Sequence, residues 1–236
     1  MEADFNGTEF EKIRAAEPPD ARLEEIRNRI ISSLRPVKPL PSDRVLVTSL
    51  MAGFICVGVL CAIPIGLKGY HAMRTAQKLA DYAVILFCAL ILALVLTGEI
   101  IPGSRRRVSP ALAPAALFAM MIAVTTLLFP DYSAAQFVRR GIPCFMIGTV
   151  CEIAAAALVW RVVRLGMLTD RLSGILTAAM LSGMLGVFVL ALHCPILNAA
   201  HILSWHLTVP ALGLAAGALL GNMVERGITS GSRESV

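Results

Sequence analysis

The amino-acid sequence predicts an all-α membrane protein with six transmembrane helices, a cytoplasmic N-terminal helical tail and both termini inside. The first reason is composition: the 236 residues are 57% hydrophobic and 16% charged, whereas a soluble domain has roughly 45–50% apolar and about 25% charged residues. The second is charge distribution, because nine of the sixteen acidic residues lie in residues 1–43. The third is a series of long apolar runs without the period-two alternation of a transmembrane barrel. These observations exclude a soluble enzyme and divide the chain into a tail (1–43), a transmembrane domain (44–224) and a cytoplasmic C-tail (225–236).

The sequence of the tail predicts two short helices. Residues 8–11 (Thr-Glu-Phe-Glu) have the spacing of a capping box, and Pro18 must end the helix that this box begins. Asp20 can cap a second helix over about 21–34, which ends before the proline-rich stretch 36–41. We expect this stretch to act as a semi-rigid spacer between the second helix and the membrane.

One face of the second tail helix is apolar. Spacings of three, four and four residues form an apolar stripe of Leu23, Ile26, Ile30 and Leu34. Because a helix of about 14 residues is marginal alone in water, this stripe needs a partner, which is another protein, the membrane surface or the chain's own cytoplasmic loops. The helix is close to charge-balanced and lacks aromatic residues, so a protein partner is favoured over a lipid surface.

Six apolar runs follow the tail, and each is about as long as the roughly 20 residues that cross a hydrocarbon core. Polar or turn-forming segments separate them. We expect spans at 45–67, 80–98, 112–129, 142–160, 172–193 and 203–223.

The distribution of basic residues predicts the orientation. With the N-terminus inside, 16 Lys and Arg residues would lie on the cytoplasmic side and five outside. The positive-inside rule therefore predicts a multi-pass protein of the lipid bilayer with both termini in the cytoplasm. The pI of about 9.1 reflects this asymmetry, and no basic stripe interleaved with aromatic residues indicates direct nucleic-acid binding.

Three segments of the chain resemble one protein family. They are residues 34–41 (Leu-Arg-Pro-Val-Lys-Pro-Leu-Pro), 139–144 (Arg-Arg-Gly-Ile-Pro-Cys) and 192–195 (Leu-His-Cys-Pro), the last followed by His201 and by Trp205 with His206. Together with the six-span layout, these strings resemble the negative-regulator-of-sigma-F (NrsF) type of integral-membrane anti-sigma factor.

The resemblance implies a function. A cytoplasmic N-terminal segment would hold an extracytoplasmic-function sigma factor at the bacterial inner membrane, and two membrane cysteines, Cys144 and Cys194, would take part in sensing a signal. The contact surface would then be Leu23, Ile26, Ile30, Leu34, Arg35 and Pro36. No enzymatic activity and no particular oligomeric state is predicted.

The predicted topology also gathers soft metal ligands at the outer face, without help from the family. The set is Cys144, Cys194, His193, His201 and His206. Thiolates and imidazoles are ligands that transition metals prefer, so a transition-metal ion is the one cofactor considered. The alternatives are redox chemistry or a disulfide between the two cysteines, and plain packing. His201 and His206 are five residues apart, about 140° on an α-helix, so they converge only if the chain bends or another residue completes the site.

Two acidic residues stand out in the apolar runs. Glu152 lies near the middle of the fourth span, where a carboxylate is costly unless protonated or paired, and it is a candidate switch residue or a hydrogen-bonding structural one. Glu99 lies at the inner boundary of the second span and is expected to be solvated. The main rival function is a small proton- or ion-coupled transporter that uses Glu152. A second rival function is a haem- or quinone-handling enzyme. The histidines argue against it, because they lie at span ends and not on facing helices.

Overall fold

The computed structural model describes the backbone of residues 20–33, 40–101, 112–133 and 137–231. It divides the chain into two compact units, Met1–Pro39 and Leu40–Val236. Every regular element in the described ranges is a helix, and they contain no strand. The all-α class predicted from the sequence is therefore confirmed.

In the first unit, the described helix is α1, Asp20–Ser33. Its bounds agree with the second predicted tail helix to within one residue. Two exposed ion pairs lie along it, Arg27 to Glu24 at 3.2 Å and Arg29 to Glu25 at 3.6 Å. The predicted capping box at residues 8–11 and the proline-rich stretch lie wholly or largely outside the described residues.

The second unit is a helical bundle. Its elements are α2 (Asp43–Ile65), α3 (Lys68–Ala72), α4 (Thr75–Ile100), α5 (Leu112–Leu128), α6 (Phe137–Val163), α7 (Arg171–His193), α8 (Ala199–His201), a π-helix (Ile202–His206) and α9 (Thr208–Gly231). Five of the six predicted apolar runs each overlap one helix of this series, and the sixth, 203–223, falls on the π-helix and α9.

Five helical segments in the described residues are long and apolar enough to cross a membrane: α2, α4, α6, α7 and the segment Ala199–Met223. Helix α5 is apolar but has only 17 residues. At 1.5 Å per residue this is about 26 Å, slightly less than the roughly 30 Å of a hydrocarbon core. The structure thus supports a multi-pass membrane protein, with α5 at the lower limit for a span.

Helix α7 lies at the centre of the bundle. Within its apolar window 78% of the residues are buried, against 28–39% for the other four segments. It packs against α2, α4, α6 and α9. Its largest fully buried side chains include Met180, Met184, Leu185 and Leu190.

Glycines allow α6 and α9 to approach α7 closely. A Cβ atom at Gly186 would lie 2.7 Å from the carbonyl oxygen of Gly148 on α6, and one at Gly183 would lie 2.5 Å from the backbone of Pro210 on α9. Small residues at helix interfaces permit this approach in membranes, where apolar burial between helices gives little driving force. The close spacing of these three helices therefore depends on glycine at these positions, because a larger residue would overlap the neighbouring backbone.

Glu99 is buried, and its expected solvation is wrong. Only 2% of the residue is exposed. Its Oε2 accepts a hydrogen bond from the backbone N–H of Asp170 at 3.2 Å, and its carbonyl oxygen accepts one from the backbone N–H of Thr169 at 3.1 Å. The Glu99 carboxylate thus satisfies the backbone N–H of Asp170 just before α7. Apolar periodicity in the sequence does not reveal this role.

Helix α5 decides the topology, which gives a first prediction. If α5 crosses the membrane, the segment after it lies on the opposite side from the segment after α4, and the termini share one side. We expect alkaline phosphatase inserted after residue 133 in the full chain to be active, because it would lie in the periplasm. Phosphatase inserted after residue 165 should be inactive and serves as the matched control. An inactive insertion at 133 would show that α5 does not span.

Candidate Cys/His site

Four side chains meet at one end of the bundle. One potential ligand atom from each of Cys144, Cys194, His201 and His206 lies within 4.8 Å of all the others. All four residues are buried, with exposed fractions between 2% and 7%. We call these four residues the Cys/His cluster.

Three parts of the chain bring the cluster together. Cys144 lies in the first third of α6. Cys194 directly follows α7 and closes it, since its backbone N–H donates to the carbonyl of Leu190 at 2.8 Å. The backbone N–H of His201 donates to Asn198 Oδ1 at 2.7 Å, which begins α8. The cluster therefore joins the start of α6, the end of α7 and the segment that precedes α9.

The π-helix explains how the two histidines converge. An α-helix would separate residues five apart by about 140°, whereas a π-helix bonds residue i to residue i+5 and so brings them to one side. Here the N–H of Leu207 donates to the carbonyl of Ile202 at 3.0 Å. The rings of His201 and His206 lie 5.2 Å apart, edge to face at 81°. The chain thus changes its helical type at the point where the sequence required a bend.

The polar atoms of the cluster contact one another. The two sulfur atoms of Cys144 and Cys194 are 3.4 Å apart, a hydrogen-bonded distance for thiols, and Cys194 Sγ is 3.4 Å from His201 Nε2. Both cysteines are free thiols. The Nε2 atom of His206 is buried and has no hydrogen-bond partner in the described part of the chain.

The surroundings favour the thiolate form of Cys194, which follows the end of the α7 span. The hydrogen bond from Cys144 lowers the pKa of the Cys194 thiol, burial raises it, and interactions with His201 and His206 lower it again; the net direction is down. Thiolate is the form that binds metals and reacts with oxidants.

The donor set fits a transition-metal ion. Two cysteines and two histidines are a common ligand set for structural zinc and similar ions, and a buried imidazole nitrogen without a partner is what such a site shows before a ligand bond is formed. The ion would be held by Cys144, Cys194, His201 and His206, and it would supply a strong bond between three separate elements. The same two thiols can instead form a disulfide, because their sulfur atoms already touch.

Two predicted residues lie apart from the cluster. His193 was expected among the metal ligands, but its Nδ1 lies 3.0 Å from the carbonyl oxygen of Gly66, where it ties the end of α7 to the end of α2. Glu152 lies on α6 two turns beyond Cys144. Its Oε1 is buried against Gly183 and Gly213 and has no hydrogen-bond partner within the described residues.

Trp205 holds the π-helix against α6. Its indole ring covers Gly141, where any Cβ atom would overlap the ring. The ring also contacts Phe137, with centroids 5.4 Å apart. From the sequence, Trp205 is part of the family resemblance or an interfacial aromatic anchor, whereas in the structure it packs the histidine segment against α6.

A further polar residue beside the cluster was missed from the sequence. Asp81 on α4 is 8% exposed and lines a small cavity together with Thr125, Cys194 and His206. The signal that could have revealed it is an acidic residue inside the second apolar run, at the second position of the predicted span.

The fold and the site together define a class: a multi-pass helical membrane protein with a buried Cys/His cluster at one end of its bundle. The family comparison is more specific. Residues 31–226 match the family described as negative regulator of sigma F, NrsF. Since this match covers most of the chain, the protein belongs to that family. No curated protein and no solved structure gives a match.

The cluster predicts a specific pattern of metal binding. We expect the purified full chain to bind Co²⁺ with the absorbance bands of a tetrahedral site that includes thiolate ligands. Cys194→Ser and His206→Gln should each weaken the affinity by more than about a hundredfold, because even changes outside the ligand set cost roughly 10–100-fold. His193→Gln is the matched control and should bind like the wild type, since its ring faces Gly66. Loss of binding in the control with retention in His206→Gln would contradict the ligand set.

Proposed function

We propose that the protein holds an extracytoplasmic-function sigma factor at the bacterial inner membrane through its N-terminal tail. We further propose that it releases the sigma factor when the Cys/His cluster binds a transition-metal ion or is oxidised. Membership of the negative-regulator family is the observation that supports a sigma-factor partner. The cluster of four buried ligands supports the sensing role.

The tail helix α1 offers a docking surface. Leu23, Ile26 and Ile30 on the apolar stripe are 49%, 50% and 55% exposed, and the ion pairs of Arg27 and Arg29 occupy other parts of the helix surface. An amphipathic helix of this kind binds by laying its apolar face in a groove of the partner. Leu34, Arg35 and Pro36 lie outside the described residues, and their part in the contact stays a prediction.

Sidedness follows from the charge asymmetry. A sigma factor acts in the cytoplasm, and the excess of Lys and Arg predicts the tail on that side. If all six apolar helices cross the membrane, the start of α6 and the end of α7 lie on the periplasmic side. The Cys/His cluster would then face the compartment from which metal ions and oxidants arrive, and where disulfides persist.

Metal binding and oxidation would each change the bonds within the cluster. Binding leaves both sulfur atoms deprotonated and joins α6, the end of α7 and the segment that carries the two histidines through one ion. Oxidation by a two-electron oxidant removes two electrons from the two sulfur atoms, releases the thiol protons that they still carry, forms the bond between Cys144 and Cys194, and withdraws both sulfur ligands. Either event acts on the tail only if the sigma-holding and sigma-releasing states differ in affinity for the signal.

The transporter hypothesis gains no specific support from Glu152. The residue is enclosed where α6 meets α7 and α9, against Gly183 and Gly213. A coupling acid needs a path to water, and this contact surface is one of close helix packing. We therefore do not propose transport.

The docking surface predicts the effect of charge on α1. Ile26→Glu and Ile30→Glu in the full chain should each weaken sigma-factor binding by about thirtyfold or more, because a buried interface anchor contributes about 2 kcal/mol. The measurement is the affinity of the detergent-purified protein for the purified sigma factor. Ile31→Glu is the matched control: Ile31 is equally exposed, at 53%, but lies off the stripe, so binding should persist. Equal losses of sigma-factor affinity in all three variants would show that the apolar stripe is not the docking face.

If the cluster is the sensor, a change in the cluster should affect release of the sigma factor but not its binding. Cys194→Ser should hold the sigma factor with wild-type affinity but fail to release it when metal or oxidant is added, because a sulfur ligand is missing. Cys88→Ser removes an equally buried thiol from outside the cluster and should release normally. Release is measured as free sigma factor after signal addition. If Cys194→Ser still releases on signal, the cluster is not the sensor.

A further inference from the structure

A small cavity adjoins the Cys/His cluster, and Cys144 is not among the residues that line it. It is about the size of one water molecule. Two of the cluster residues, Cys194 and His206, form one wall. Asp81 on α4 and Thr125 on α5 add two more polar side chains, and the thioethers of Met73 and Met121 lie among the apolar remainder. The cavity thus connects the cluster to a carboxylate that is not one of its four members.

Asp81 is an unusual residue at this position. It is 8% exposed within an apolar helix, where a carboxylate is expensive unless it has a partner. No ion pair of Asp81 occurs among the residues that the structure describes. The nearest lysine in sequence, Lys78, instead lies over the ring of Tyr70 at 4.2 Å. The protein therefore keeps an uncompensated acid beside the cavity.

The cluster needs a route for its ion. All four ligands are buried, so an ion must lose its water before it reaches them. This loss is easier when protein donor atoms replace the water molecules one at a time. A carboxylate raises the local cation concentration in a low-dielectric cleft. Methionine sulfur is a soft, adaptable ligand. His206 lines the same cavity, and its Nε2 has no partner among the described residues.

We propose that this cavity is a staging site for the transition-metal ion, in which the Asp81 carboxylate holds the arriving ion before Cys194 and His206 take it. Asp81 is a positioning residue and not a member of the final ligand set, because the group of mutually close ligand atoms does not include it. This inference rests on the metal-binding role proposed above. It adds a residue that governs how fast the cluster fills, while the four ligands govern how tightly the ion is held.

The test separates the rate of loading from the final complex. Full-length protein in detergent is mixed rapidly with Co²⁺, and the growth of the thiolate-to-cobalt absorbance is followed. We expect Asp81→Asn to load about tenfold more slowly, because removing one focusing charge reduces cation capture by that order. Its final spectrum should equal that of the wild type. Asp81→Glu, which keeps the charge, should restore most of the rate.

Asp131→Asn is the matched control. Asp131 is exposed in the segment after α5, and its carboxylate accepts hydrogen bonds from Ser133, so the same loss of charge outside the cavity should leave the rate unchanged. Equal loading of Asp81→Asn and the wild type would overturn the staging role, and so would a changed final spectrum in that variant. If Asp81→Asn does not fold, Asp81→Ser tests the same loss of charge. Failure of the wild type itself to bind Co²⁺ would instead remove the metal-binding role, and the staging site with it.

Discussion

The burial of one apolar helix by protein instead of lipid is the constraint on which the bundle depends. Helix α7 has 78% of its apolar window inside the protein, and lipid chains compete equally well for an apolar helix surface, so only close packing holds neighbours against it. Glycines supply that closeness: Gly186 against Gly148 of α6, and Gly183 against Pro210 of α9. Because α6 and α9 approach α7 at these points, the residues at their adjoining ends come within reach of one another, and the Cys/His cluster is the result.

The sequence predicts the local features of this structure well and the tertiary ones incompletely. Length and hydropathy located every apolar helix, and the expected fifth span at 172–193 differs from α7 by one residue at its start. The predicted topology alone places three of the four cluster members at one face. His206 meets the others only because the helix changes to the π type, and a single sequence does not predict that change. Topology also places His193 at this face, but its Nδ1 lies against the carbonyl oxygen of Gly66. Local patterns cannot distinguish such neighbours, since the choice is made by contacts between distant segments.

Helix α7 has polar attachments at both of its ends. At its N-terminus the backbone N–H groups of Thr169 and Asp170 bond to Glu99 of α4, and at its C-terminus Cys194 joins the cluster while Tyr82 of α4 donates to the carbonyl of Ala191 at 3.4 Å. Helix α4 therefore contacts α7 near both faces of the bundle. These two helices are therefore joined by polar contacts at the end of the bundle that carries the cluster and at the opposite end.

The π-helix places one more residue between the two histidines than an α-helix would need to bring them to one side. Its hydrogen-bonded ring holds one residue more than that of an α-helix, so the deletion of a single residue within Ile202–His206 would restore an ordinary α-helix. If the deleted residue lies between His201 and His206, the two histidines become four residues apart, about 40° on an α-helix, and their imidazoles still share one face. The spacing of these two ligands can therefore change by one residue without separating them, because the helical type changes with the spacing.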